Sequence, residues 1–139
     1  MKKVGFIGVG IMGKSMVRNL MKAGFELHIY ARTKSKVEDV IGEGAQFHES
    51  IKDCVQDCDA VITIVGFPQD VEEVYFDQGN ILDSAKKGAY LIDTDSNYQI
   101  SITCEKAKFH IICSKFNLTG RCIYKYAFQN GHRCFRSCL

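Results

Sequence analysis

A doubly wound parallel α/β sheet followed by an unpatterned C-terminal tail is the fold class this 139-residue sequence predicts, on three observations. Short apolar segments alternate with amphipathic ones from Lys3 to Asp93, the order that builds right-handed βαβ units. A glycine-rich turn, Gly8 to Gly13, joins the first apolar segment to the first amphipathic one. The composition then breaks near Ser96. Residues 1–95 carry 11 Lys/Arg against 15 Asp/Glu, whereas residues 96–139 carry 7 against 1, and five of the seven cysteines fall in that last stretch. One domain over 1–95 and a divergent tail over 96–139 are therefore expected. A hydrophobic content of 46%, a charged content of 24% and a single proline exclude wholesale disorder and a collagen-like chain.

Each element has its own local reason. Lys3 to Gly8 is short, apolar and β-branched, which reads as a strand buried on both faces. Ile11 to Ala23 follows with helical period: Met12, Met16 and Leu20, flanked by Val17 and Met21, form the apolar face, and Lys14, Arg18 and Lys22 the opposite one. Gly24 sits where a left-handed cap ends such a helix. Glu26 to Tyr30 reads as a second strand, and Ser35-x-x-Glu38 as a capping box opening a helix that stops near Gly42 or Gly44. Ala45 to Phe47 is a brief strand, Ser50 to Asp57 a short helix, and Ala60 to Val65 (AVITIV) the clearest strand of all. Pro68 marks a turn, and Asp70 with Glu73 caps a helix carrying Val71, Val74 and Tyr75 on one face. Ala89 to Asp93 closes the pattern as a strand, and Phe109 to Cys113 is a candidate sixth. From Asn117 to Leu139 neither period is visible.

The chemistry is concentrated in Gly8-Val9-Gly10-Ile11-Met12-Gly13, a G-x-G-x-x-G between a strand and a helix. Gly8 permits the tight turn, Gly10 lets the backbone approach a pyrophosphate, and Gly13 lets the helix pack closely on the strand. The positive end of the helix then faces phosphate. This is a Rossmann-type dinucleotide fingerprint. About 20 residues on, an Asp or Glu would bind a ribose 2′-hydroxyl. The chain instead reads Tyr30-Ala31-Arg32-Thr33-Lys34-Ser35-Lys36, with no carboxylate before Glu38. Arg32 can grip a 2′-phosphate with its planar fork, Thr33 can add a hydroxyl, and Lys34 or Lys36 can add charge. NADP(H) is favoured, with NAD possible.

These residues also carry a family resemblance. Phe6 to Gly13, continuing through Met16 and Asn19-Leu20, closely resembles the N-terminal signature of the β-hydroxyacid dehydrogenases, which include 3-hydroxyisobutyrate dehydrogenase and 2-hydroxy-3-oxopropionate reductase. Arg32-Thr33 resembles that family's N-R-T/S turn, with Ala31 in place of the asparagine. Val65-Gly66-Phe67-Pro68 followed by Val71 and Val74 looks like its fourth-strand segment, whose backbone lies along the cofactor, and Leu91-Ile92-Asp93 matches the strand before its D-x-S/T-T loop. The resemblance covers residues 1–93. It implies an NADP-dependent oxidoreductase that interconverts a small 3-hydroxy acid and its semialdehyde. It also implies Val65, Gly66, Phe67 and Val71 as cofactor-binding residues beside the glycines, Ile11, Met12, Arg32, Thr33 and Lys36.

Past Asp93 the motifs fail. The D-x-S/T-T loop is replaced by Asp93-Thr94-Asp95-Ser96, and where the family has D-A-P-V-S/T-G-G this chain has Phe116-Asn117-Leu118-Thr119-Gly120-Arg121. The family's helical domain, whose G-x-x-x-N-K lysine is the general acid/base, is not expected within these residues. No catalytic residue is assigned, neither Lys115 nor Lys125 being suited to the role, and the chain by itself is expected to be inactive. A reading frame shifted just after Asp93 would produce such a tail, and a genuinely divergent tail is the other account. The corresponding alternative for function is a non-catalytic NADP(H)-binding module, or the product of a frame-shifted gene.

Other classes are excluded by pattern. Glycines at 5, 8, 10 and 13 interrupt the N-terminal apolar run, so it is no secretory signal, and no window approaches a membrane span of roughly 18–20 apolar residues. A cytoplasmic chain with reduced thiols follows, and the sequon at Asn117 is set aside. His132 with Cys134 and Cys138, and His110 with Cys113, lack a C-x-x-C knuckle, so no metal is expected. Cys54 and Cys58 read as ordinary helix residues. The basic, aromatic tail reads as accidental composition, with no nucleic-acid partner.

Overall fold

The computed structural model describes residues 2–94 and three further strands at 110–113, 124–129 and 132–137. Strands β1 (Lys3–Ile7), β2 (Glu26–Tyr30), β3 (Gln46–His48), β4 (Ala60–Thr63), β5 (Tyr90–Asp93) and β6 (His110–Cys113) form one sheet in the order β3-β2-β1-β4-β5-β6. Every neighbouring pair is parallel. The order reverses direction between β1 and β4, the switch point at which open α/β sheets bind ligands.

Helices cover both faces because both faces of each central strand are apolar. Val4 and Phe6 of β1, Leu27 and Ile29 of β2, and Ala60 and Ile62 of β4 pack with Val17 of α1 (Ile11–Lys22) and Val40 of α2 (Glu38–Gly42). Ile7, Val61 and Leu91 face the other way, onto α3 (Ile51–Val55), α4 (Pro68–Phe76) and α5 (Ile81–Ser84) through Val55, Val71, Tyr75 and Ile81. This is the two-sided burial that the unbroken apolar strands predict. Gly24, just past the Ala23 cap of α1, has φ +87° and turns the chain into β2. Lys14 and Arg18, the polar face of α1, reach Asp39 in α2 and Glu43 at its C-cap at 2.7–2.8 Å, which holds the Asp39 carboxyl down at about 2, chiefly through Lys14. Asp59 accepts from the Lys2 and Lys3 amides and from Lys86 Nζ, which keeps it ionised well below the usual carboxylate range.

Several local expectations are corrected. Ser35 caps nothing: it lies inside a 3₁₀ turn, Lys34–Lys36, and α2 starts after Val37, which makes no side-chain cap bond. Full burial of Val37 in the α1 face of the core fixes the chain there instead. Pro68 does not precede the helix but occupies its first turn, where a missing N–H costs nothing, so Asp70 and Glu73 lie within α4 rather than capping it. Met12 is largely solvent-exposed, because the first turn of α1 overhangs the end of the sheet and Gly13 and Val17 form its buried face. The short α5 carries too few residues to show a period.

The tail also contains regular structure. The candidate sixth strand is present as β6, in register with β5 from Tyr90↔His110 to Asp93↔Cys113. Strands β7 (Tyr124–Gln129) and β8 (His132–Ser137) pair antiparallel from Tyr124↔Ser137 to Gln129↔His132, where no period was expected. The two residues between them in sequence are Asn130-Gly131, the strongest short hairpin signal there is. Residues 95–96 and 116–121, Lys115, Asn117 and the side chains of the tail's lysines, cysteines and histidines lie outside the described residues.

Cys54 and Cys58 are both buried, Cys54 in α3 and Cys58 beyond it, not both on one helix. Cys58 Sγ donates to the Cys54 carbonyl at 3.1 Å and Cys54 Sγ to that of His28 at 3.4 Å. Burial pushes both thiols up to about 12. Since the thiolate is the nucleophile, both should resist alkylation in the native protein at pH 8 and react fully in denaturant, read by peptide mass mapping. Fast native labelling of either would refute this packing.

Candidate functional site

An open cleft of about 610 Å³ lies at the carboxyl ends of β1, β2, β4 and β5. Its floor is the turn from β1 into α1. Gly8 takes φ +92°, and a Cβ there would strike the Ile64 carbonyl oxygen just past β4. A Cβ on Gly13 would stand 2.5 Å from the Gly8 carbonyl oxygen and 3.2 Å from the Phe6 ring. These two glycines let α1 sit directly on the end of β1. Gly10 differs: a Cβ there meets no atom of the described residues within 4 Å, so none of them requires glycine at this position.

The N-terminus of α1 is also unsatisfied from within. Gly10 is the N-cap and offers no side-chain cap bond, and the first turn holds no acidic residue. The leading N–H groups of any helix lack intrahelical acceptors, and here they open beside Ile11, Met12 and Gly13 into the cleft. A polarised, uncapped helix end beside a glycine that leaves room for a ligand fits a pyrophosphate.

Around this floor the structure gathers Gly8, Gly10, Ile11, Met12, Gly13, Arg32, Thr33, Lys36, Val65 and Gly66 of the sequence-derived residues. Phe67 and Val71 are not among the lining. Phe67 is the exposed N-cap of α4, and Val71 is fully buried beneath it, with Val74 reaching the cleft instead. Arg32 leaves the end of β2 and donates from Nη2 to Asp70 Oδ1 at 2.7 Å and to Glu73 Oε2 at 3.0 Å. The Asp70 carboxylate above all holds its guanidinium pKa up. Lys34 turns away, its Nζ 5.2 Å from the centre of the Phe47 ring. Local sequence reasoning missed Tyr30, Ile64, Asp70 and Thr94 as lining residues. The signal for three of them was position, since Tyr30, Ile64 and Thr94 end or follow sheet strands at the carboxyl edge.

On the β4 and β5 side the lining is Ile64, Val65, Gly66 and Thr94, none of which titrates near neutrality. Thr94 is tied down there, its N–H and hydroxyl both donating to the Thr63 carbonyl at 2.9 and 2.8 Å. Beneath it, buried Thr63 bonds Tyr75 Oη at 2.9 Å and donates to Asp93 Oδ1 at 3.1 Å. Among the described residues no group of three or more metal-ligating side chains occurs, and no helix is long and apolar enough to cross a membrane.

A parallel, doubly wound sheet with this turn at its switch point defines a Rossmann-type NAD(P)-binding domain. The chain belongs to the family of the NAD binding domain of 6-phosphogluconate dehydrogenase, whose model matches residues 3–111. It is 48% identical over 92 residues to the uncharacterized oxidoreductase YkwC of Bacillus subtilis, covering 66% of this chain and 32% of that protein. Glyoxylate/succinic semialdehyde reductase 1 of Arabidopsis thaliana is 37% identical over 91 residues, again 66% of this chain and 32% of the relative. The solved 3-hydroxyisobutyrate dehydrogenase of Mycobacterium tuberculosis, with L-serine, superposes with a TM-score of 0.64 at 27% identity, over 73% of this chain and 33% of that one. The family resemblance read from the motifs is borne out. The chain spans about a third of the length of these relatives.

The glycines differ in what they serve, and stability separates them. Gly8→Ala and Gly13→Ala should each cost about 2–3 kcal/mol, because a backbone carbonyl cannot yield as a flexible side chain would. Gly10→Ala should cost less than about 1 kcal/mol, the ordinary penalty of alanine at an N-cap. Urea denaturation of the three variants measures this, and equal losses would mean that Gly10 too is held by the fold.

Proposed function

We propose that this chain is the cofactor domain of an NADP(H)-preferring oxidoreductase that interconverts a small 3-hydroxy acid and its semialdehyde. The observation that carries the cofactor reading is the uncapped start of α1, opening beside Gly10 into a cleft whose β2 wall bears Arg32. When bound, the nicotinamide supplies the hydride acceptor or donor.

The chain's own residues bind and orient it. The first-turn N–H groups at Ile11, Met12 and Gly13 hold the pyrophosphate, and Gly10 keeps the space clear. Arg32, Thr33 and Lys36 hold the 2′-phosphate, where Arg32 offers paired donors and Lys36 a point charge. Val65 and Gly66 border the cofactor along β4, with exposed Phe67 at the rim. Val71 acts indirectly, by seating α4. The substrate class rests on the family: relatives carry names of semialdehyde and hydroxyisobutyrate enzymes.

A second reading is a module that binds NADP(H) without turnover. It draws on the loss of the family's motifs past Asp93, where Asp93-Thr94-Asp95-Ser96 stands in place of the D-x-S/T-T loop. Such a module binds NADPH but does not oxidise it with succinate, tartronate or methylmalonate semialdehyde.

Arg32→Ala tests the cofactor preference. It should weaken NADPH binding by about 1.5–3 kcal/mol, the value of charged hydrogen bonds, and NADH binding far less. Fluorescence titration with both cofactors reads the difference. Equal loss for the two would remove the 2′-phosphate role of Arg32.

A further inference from the structure

Arg32 is paired before any ligand arrives. Asp70 and Glu73 stand three residues apart on α4, so both carboxylates face the same direction, and both accept from the single Nη2 of Arg32. One positive charge is thus opposed by two negative ones. Asp70 is the nearer partner, the less exposed one, and itself lines the cleft. Among the cations that follow β2, Lys34 is turned to Phe47, and Lys36 lines the cleft with no carboxylate partner among the described residues.

We propose that Asp70, seconded by Glu73, is a specificity-determining residue that weakens the preference of this site for a 2′-phosphate. The inference rests on the reading that Arg32 meets the 2′ group of the cofactor. Two effects have the same sign. A 2′-phosphate must share or take the guanidinium that Asp70 holds, and the phosphate's negative charge must settle beside the Asp70 carboxylate. A 2′-hydroxyl asks for neither, and the pair stays closed beside it. The ionic clamp across the cleft rim therefore taxes one cofactor and not the other. A carboxylate absent from the end of β2 in sequence is supplied in space from α4, 38 residues away.

The ratio of the two dissociation constants separates this from a merely structural role, which would move both together. In the full chain, Asp70→Asn should tighten NADPH about threefold to tenfold while NADH moves less than about twofold, and the gain should shrink as salt is raised. Binding of 2′,5′-ADP, which lacks the nicotinamide half, should tighten in parallel. Glu73→Gln, at a more exposed position, should act in the same direction by about twofold, and serves if Asp70→Asn disturbs folding. An unchanged ratio, a shift of both cofactors together, or weaker NADPH binding would overturn the proposal. Arg32→Ala keeps the two failures apart. If it discriminates between cofactors while the carboxylate variants do not, only the role of Asp70 falls. If it weakens both cofactors equally, the 2′-phosphate reading falls with it.

Discussion

The approach of α1 to the end of β1 is the constraint on which the rest depends. Gly13 sits so close to the Gly8 carbonyl that no side chain fits between helix and strand. That contact sets where the first turn of α1 points, and hence where its unsatisfied N–H groups open. It also leaves Met12 and Ile11 overhanging the sheet rather than buried in it. The helix would otherwise be an ordinary amphipathic cover for the core. Its displacement by the thickness of one missing side chain makes its end a wall of the cleft.

The sheet makes that wall rigid. β1 is flanked by β2 and β4, and each of the three presents apolar residues to both faces. Surface ion pairs add orientation more than strength: Lys14 and Arg18 tie α1 to α2, and Asp59 ties the start of β1 to Lys86. Of the buried polar residues, Thr63 and Asp93 lie together at the β4 and β5 ends and bond one another, and His28 of β2 bonds His48 of β3. Burial without such partners would cost more than the bonds return. The cleft is thus bounded by elements whose positions are fixed from behind.

How much of this the sequence discloses follows from the range over which each cause acts. Strands β1, β2, β4 and β5 are legible because apolar runs bounded by glycine or charge act locally. α1 is legible for the same reason, and so is the fingerprint. Ser35 misleads because a capping motif is a local preference, and full burial of Val37 outweighs it. Met12 misleads because helical period reports a face, not where the helix extends past the sheet. Asp70 reads as a cap within its own segment, since the partner that gives it meaning is Arg32, far off in sequence. The hairpin of β7 and β8 was open to reading in Asn130-Gly131, hidden by an overall composition that resembles no ordinary domain.

The place of β1 has a consequence for the order in which the sheet is made. The central strand is synthesised first, and its pairing with β2 joins Lys3 to Glu26, whereas its pairing with β4 joins Val4 to Ala60. Closing the longer loop costs about 0.8 kcal/mol more chain entropy, and its far side does not exist until some 34 further residues have been added. During that interval one edge of β1 has no neighbour of its own chain, and an apolar strand with a bare edge is a template for a foreign one. Of the strands that finish with a neighbour on each side, β1 is therefore the one left longest with an open side during translation, and a nascent chain stalled before Ala60 exposes it.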